Sequence, residues 1–389
     1  MTDDAILHAA IAEGDREAAF AAAADALAAA GRIDDLFDLR MLHAKLSRGL
    51  AADRPPTLSE VPTEHRRAIE EEYRDAARAA GQAWLDRGEI GMAWNYFQVI
   101  GEPRPIREAL ESHTVVADFD ERQQELAQIA LYDRAAPRRG VEMILAMSGM
   151  CNTVTAVDHV IGQLDAADRG EIAQVMVRAL HESLVDSVRR DLQSRVPLAK
   201  NDGSLPKLLD AYPQLLENGQ YHVDVSHLAA VVRFARSLPD DARDDLTLAI
   251  ELCDYGERLD PALRYASEPP FEEPYEANRQ FLQGLRGQDE AEREAGLDYF
   301  RGRLEREPDE QDKPVLAYVL TDLLMRCRQF DEAVQVAERH LLAVAEQTGF
   351  SFAELCRQAG RMDALAAWGQ RHDDPVALLN GRFGGGSDD

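Results

Sequence analysis

Along most of the chain apolar residues recur at steps of three and four rather than in alternation, which predicts helices and no sheet. The stretch from Ala317 to Leu341 shows the pattern most clearly. Val319, Leu320, Leu323 and Leu324 line one predicted helix. A polar break follows over Arg326 to Gln329, and Phe330, Ala333, Val334, Val336, Ala337 and Leu341 line the next helix. Ala333 and Ala337 lie one turn apart, so a neighbouring helix can approach closely there. Two rods this short cannot hide their apolar stripes alone and need a like neighbour.

The same form recurs near the N-terminus. Residues 4–30 read as a hairpin turning at Glu13-Gly14-Asp15, and 33–48 as a further helix bearing Ile33, Leu36, Leu39, Leu42 and Leu46. Helices from Glu64 to Leu85 and from Ile90 to Ile100 bracket a turn, with Trp84, Trp94, Tyr96 and Phe97 as a bulky seam. Pro105 falls early in the next helix, where a missing N–H costs least. The middle of the chain predicts longer helices at 118–134, 139–149, 153–164 and 168–193, then a long loop at 194–225. Asp224 or Ser226 caps a helix running to Leu238, and a further helix follows at 240–259. Proline-bearing stretches at 49–65 and 266–277 read as linker and joint, and the final GRFGGGSDD as a flexible end. The expected organisation is all-α: N-terminal helical hairpins at 1–114, a central helical domain at 115–265, hairpin repeats at 278–380 and a tail at 381–389.

Glu294-Ala295, Glu332-Ala333 and Asp363-Ala364 take one place in successive second helices, at steps of 38 and 31 residues. Those steps bracket a repeat of about 34 residues. The run Leu323-Leu324, Arg328-Gln329-Phe330-Asp331-Glu332-Ala333 and Ala337 resembles a tetratricopeptide repeat. In that family a leucine, a turn residue, an aromatic and a following alanine mark the packing positions; here Arg328 stands where glycine is usual. The resemblance spans about 281–370. It implies an α-solenoid whose concave face holds peptides or partner proteins, and it implies no catalysis.

Charge narrows the partners. The chain carries 71 acidic and 43 basic residues, a formal charge of −28. A field of that sign repels phosphate backbones and anionic lipid surfaces, which sets nucleic acid and membranes aside. Cys151, Cys253, Cys327 and Cys356 form no CxxC pair, so neither a disulfide framework nor a zinc finger is expected, and a reducing, cytoplasmic location fits best. The opening residues lack a basic region followed by an apolar core, and no run of 18 uninterrupted apolar residues is present.

Chemistry concentrates in Tyr221-His222-Val223-Asp224-Val225-Ser226-His227. On an extended strand His222 and Asp224 point to one side, with His227 opening the next helix. With His181 or Glu182 from the long helix before the loop, and His159 as a further candidate, these residues suit a divalent metal ion. The alternative is that Asp224 and Ser226 cap the helix while the histidines hydrogen-bond the loop. Arg233 and Arg236, further along that helix, suit an anion or ligand pocket. Glu251, Asp254 and Glu257 share a helical face, read as solvated or as paired carboxylates, with Cys253 and Tyr255 turned to packing. Cys151, eight residues before His159, is read as a small buried residue at a helix junction or as a nucleophile. No Gly-rich phosphate loop, Walker motif or GxSxG is present. The leading expectation is a non-catalytic scaffold for a protein or peptide partner. The alternatives are a metal-binding protein or metalloenzyme, and a structural member of a larger assembly.

Overall fold

The computed structural model describes residues 3–51, 61–117, 120–198, 200, 202–265 and 269–384. Most of the expected linker (52–60), part of the joint (266–268), the end of the tail (385–389) and the first two residues of the expected 118–134 helix lie outside the described residues. Among the described residues every regular element is a helix. The chain forms two compact units, 1–160 and 161–389, so the division falls within the block expected at 115–265.

In the N-terminal unit the sequence pattern maps closely onto the helices. Asp3–Glu13 and Arg16–Ala29 pack as a hairpin, with Gly14 left-handed at the turn and Asp15 accepting from the Ala18 N–H. Ile33–Leu46 packs against Thr63–Leu85, burying Phe37, Met41, Ile69, Ala76 and Ala80. Ile90–Ile100 and Arg104–Ser112 carry a second core of Trp94, Phe97, Ile106 and Leu110, joined by Leu126 and Met143. The aromatic seam is real but divided in use. Trp94 and Phe97 are buried, while the Trp84 indole and the Tyr96 hydroxyl both donate to Asp34 Oδ1, at 3.0 and 2.6 Å. Burial and that carboxylate raise the Tyr96 hydroxyl pKa above its ordinary value.

The helices expected at 139–149 and 153–164 are one run, Pro137–Val160, bent at Gly149 with φ 71° and ψ −177°. The bend keeps glycine at the breaking point that the sequence suggests, while the chain on either side stays helical. Continued to Gln163, this stretch is 27 residues long with a hydropathy of 1.3 in its most apolar window, enough by length and composition to cross a membrane. The helix core of a soluble protein passes the same test, and here Val141, Met143, Val154 and Val157 are buried.

The C-terminal unit is built on Ala166–Arg195, whose stripe of Ile172, Met176, Leu180, Leu184 and Val188 is buried. Val225–Phe234 and Arg243–Arg258 pack on it. Buried Asp245 accepts from Arg178 at 2.5 and 2.8 Å and from Gln174 at 2.8 Å, so its charge is paired. The expected loop at 194–225 is partly helical: Ser204 and Pro206 start Leu205–Ala211, and two short 3₁₀ turns follow. The extended strand expected at 221–224 is instead a bend, because Asp224 folds back to cap the next helix.

From residue 274 the helices pack in chain order. Pro274–Arg286 meets Glu290–Arg306, which meets Lys313–Arg326, which meets Phe330–His340; Phe352–Gln358, Met362–Arg371 and Pro375–Phe383 follow. Each of three hairpin turns holds one left-handed residue, Gly287, Arg328 and Gly360. Arg328, at φ 62°, takes the conformation its sister turns give to glycine, with its side chain exposed. A side chain in that region costs about 1 kcal/mol. Arg328→Gly is therefore expected to raise stability by about 0.5 kcal/mol, after the entropy glycine loses on folding. Urea unfolding of the full chain measures it, and a destabilised variant would show that the turn is not strained.

The expected equivalence of the three acidic–alanine pairs needs correction. Ala333 is fully buried, but Ala295 is exposed and Ala364 half-buried, so the three acidic–alanine pairs do not occupy one structural position. In Glu290–Arg306 the close-approach residue is Gly296. The acidic partners do recur: Arg301 holds Glu332 through two bonds of 2.6 Å and Glu294 at 2.8 Å, tying one hairpin to the next.

Candidate functional site

The long-range geometry of the C-terminal unit makes one cavity of interest. Asp224 caps Val225–Phe234, accepting from the Ser226 N–H at 2.8 Å and from its hydroxyl at 2.5 Å. The hydroxyl bond holds the Asp224 carboxyl below its ordinary pKa. The helix runs on through a 3₁₀ turn, Ala235–Ser237, which carries Arg236 one turn beyond Arg233. That turn is fixed from outside. Arg326, at the end of Lys313–Arg326, donates to the carbonyls of Arg236 and Leu238 at 2.6 and 2.5 Å and to Asp240 at 2.7 Å.

Arg233 and Arg236 thereby line a cavity of about 520 Å³, together with Arg169, Phe271, Tyr318 and Asp322. The Arg236 guanidinium lies 4.2 Å from the centre of the Phe271 ring, a cation–π contact, and its Nε donates to the Arg233 carbonyl at 3.2 Å. Among the described residues no carboxylate is within ion-pair reach of it. Burial, with Arg233 nearby, pushes its pKa down to about 10, so it stays charged at neutral pH. Asp322 has 51% of its side-chain surface open, but the packed cavity walls crowd its wider surroundings and raise its carboxyl pKa, with Arg326 opposing. The guanidiniums supply directed N–H groups, and the exposed Tyr318 ring supplies an apolar face beside them.

The other predicted site residues are not brought together. His181 Nε2 meets Glu251 at 2.7 Å, while His222 meets Asp191 at 3.1 Å and the Tyr255 hydroxyl through its Nδ1 at 3.3 Å. Asp224 is spent as a cap, His227 lies in the first turn of the helix, and Glu182 is exposed. Among the described residues no group of three or more His, Cys, Asp or Glu side chains is placed to hold a metal ion. The physical reason is that His181 and His222 are turned to different carboxylates, Glu251 and Asp191, on different helices. The carboxylate face at 251–257 is paired rather than solvated: Glu257 and Asp254 take Arg279 at 2.7 and 3.7 Å, while Cys253 and Tyr255 are buried. Cys151 is exposed, not buried, and the His159 ring lies 6.3 Å from that of Tyr132, tilted by 55°.

Sequence reasoning reached Arg233 and Arg236 but missed Arg169, Phe271 and Tyr318. Arg169 reads as an ordinary first-turn residue, and nothing in local periodicity links it to residues 64 or more positions away. Tyr318 carried a signal: it falls off the apolar stripe of its helix and is 60% exposed. No protein-family description, no characterised protein and no solved structure matches this chain.

Proposed function

We propose that the C-terminal unit is a tetratricopeptide-like helical-repeat scaffold that holds a segment of a partner protein along its hairpins. The observation that carries this reading is the helix Lys313–Arg326. One side of it, Leu316, Ala317, Leu320, Leu323 and Leu324, is buried between neighbouring helices. The other side leaves Val315 and Tyr318 exposed, at 49% and 60%, and Tyr318 lines the cavity that holds Arg233 and Arg236. An apolar stripe left open within a packed stack is a surface for a partner. The charge beside it selects a segment with an acidic residue next to an apolar one. The reading assigns no reaction.

Display of random peptides against the full-length chain tests it. Enriched sequences are expected to be acidic and apolar, and to protect 313–326 from hydrogen exchange. Tyr318→Ala, which removes an exposed aromatic anchor, is expected to weaken them about 10-fold. Protection elsewhere, or unchanged affinity in Tyr318→Ala, would contradict the reading.

A further inference from the structure

We infer that the outward face of the helix Pro375–Phe383 is the contact through which two copies of this chain pair about a two-fold axis. The inference starts from how that helix is seated. A Cβ on Gly369 would run into the Leu378 amide nitrogen, and one on Gly381 into that of Ala366, so Pro375–Phe383 and Met362–Arg371 touch backbone to backbone. Asp374 caps the helix, accepting from the Val376 and Ala377 N–H groups at 2.9 and 3.0 Å. A helix held this closely on one side is a fixed rod. Its other side carries Val376, Leu379 and Phe383, which are 75%, 56% and 80% exposed. Spacings of three and four put them on one stripe. A stacked helix that meets water is ordinarily polar on that side, and an apolar stripe there marks a contact.

The second argument is charge, which decides what covers the stripe. The chain carries a formal charge of −28, yet Pro375–Phe383 holds no acidic side chain and one basic one, Arg382. Repulsion between two copies is therefore least at this face. Among the described residues, neither Asp373, just before the helix, nor Arg382, near its end, has an ion partner in its own chain. Two such helices packed antiparallel about an axis near Leu378 and Leu379 set stripe on stripe. They also bring Arg382 of each copy within one turn, about 5 Å along the axis, of Asp373 of the other. A parallel seat would set Arg382 against Arg382. The residues that follow, Gly384 to Asp389, bring no apolar side chain to cover the stripe instead. The third argument is size. Three side chains supply about half of the area per partner that a standard interface buries, so the pair is expected to be reversible. This inference is independent of a segment lying along Lys313–Arg326.

Sedimentation velocity of the full-length protein across a concentration series tests it. A monomer–dimer equilibrium is expected, with no larger species. Leu379→Asp and Phe383→Asp are each expected to weaken the dimer about 10-fold. Both side chains are open to solvent, so thermal unfolding of the monomer is expected to stay unchanged in both variants. Val99→Asp, at an exposed apolar position of the N-terminal unit, is expected to leave the dimer unchanged. Arg382→Asp and Asp373→Arg are each expected to weaken it about 3-fold, and the two together to restore it, since the exchange rebuilds both pairs. A chain that stays monomeric at every concentration would overturn the inference, whether a displayed peptide or a lipid vesicle takes the stripe instead. So would open-ended growth, an equal loss in Val99→Asp, or a double exchange no tighter than either single one.

Discussion

Arg326→Ala is expected to destabilise the C-terminal unit by about 3 kcal/mol, the largest loss from any single side chain considered. Arg326 makes three charge-assisted bonds, to the carbonyls of Arg236 and Leu238 and to Asp240, and its guanidinium lies 5.8 Å from the Phe281 ring. Its side chain is 19% exposed, so the bonds are shielded far better than a surface ion pair. Removing it leaves two carbonyls without their donor, and each orphaned buried acceptor costs about 1–3 kcal/mol. Arg326→Lys is expected to recover less than half, since an ammonium cannot span three acceptors held in a fork. Urea unfolding measures both variants; a loss under about 1 kcal/mol for Arg326→Ala would show that the turn holds without it.

Gly296→Ala is expected to cost about 2 kcal/mol. A Cβ at this position would lie 2.6 Å from the Gln280 carbonyl oxygen and 2.8 Å from the Gly284 Cα. Those are backbone atoms of the facing helix, so no rotamer change relieves the clash. Overpacking of this kind costs about 3 kcal/mol at the upper end of its usual range, and alanine's better helix propensity returns about 1 kcal/mol. Gly302→Ala, on the same helix, is the control. There a Cβ meets only the flexible end of Arg306 at 3.2 Å, so the propensity gain is expected to appear alone, as a stabilisation of up to about 1 kcal/mol. Opposite signs for the two variants support the close approach of Pro274–Arg286 and Glu290–Arg306; equal signs would contradict it.

The sequence made the helices legible because their signals are local. Ile90–Ile100 runs as its pattern reads, Asp224 caps the helix it precedes, and Arg328 takes the glycine-like turn that its position suggested. Register between successive hairpins was not legible, because it depends on which small residue a neighbour touches. Ala295 matches Ala333 in sequence, yet Gly296 is the residue at the contact. The candidate site was half legible. Arg233 and Arg236 share one helical segment, whereas Arg169, Phe271 and Tyr318 come from three others and meet them only through long-range packing. The histidine cluster shows the same limit: closeness in sequence says nothing of the carboxylates, Glu251 and Asp191, to which the folded chain turns His181 and His222.

Native-state hydrogen exchange of the full chain tests most directly whether these short paired helices owe their stability to the neighbours they stack on. Protection is expected to be greatest in Lys313–Arg326, which packs on Pro274–Arg286, Glu290–Arg306 and Phe330–His340, and to fall stepwise to Pro375–Phe383, none of whose residues is buried. Uniform protection across all of these helices, or greater protection at Pro375–Phe383 than at Lys313–Arg326, would contradict the stacked arrangement on which the proposed binding surface rests.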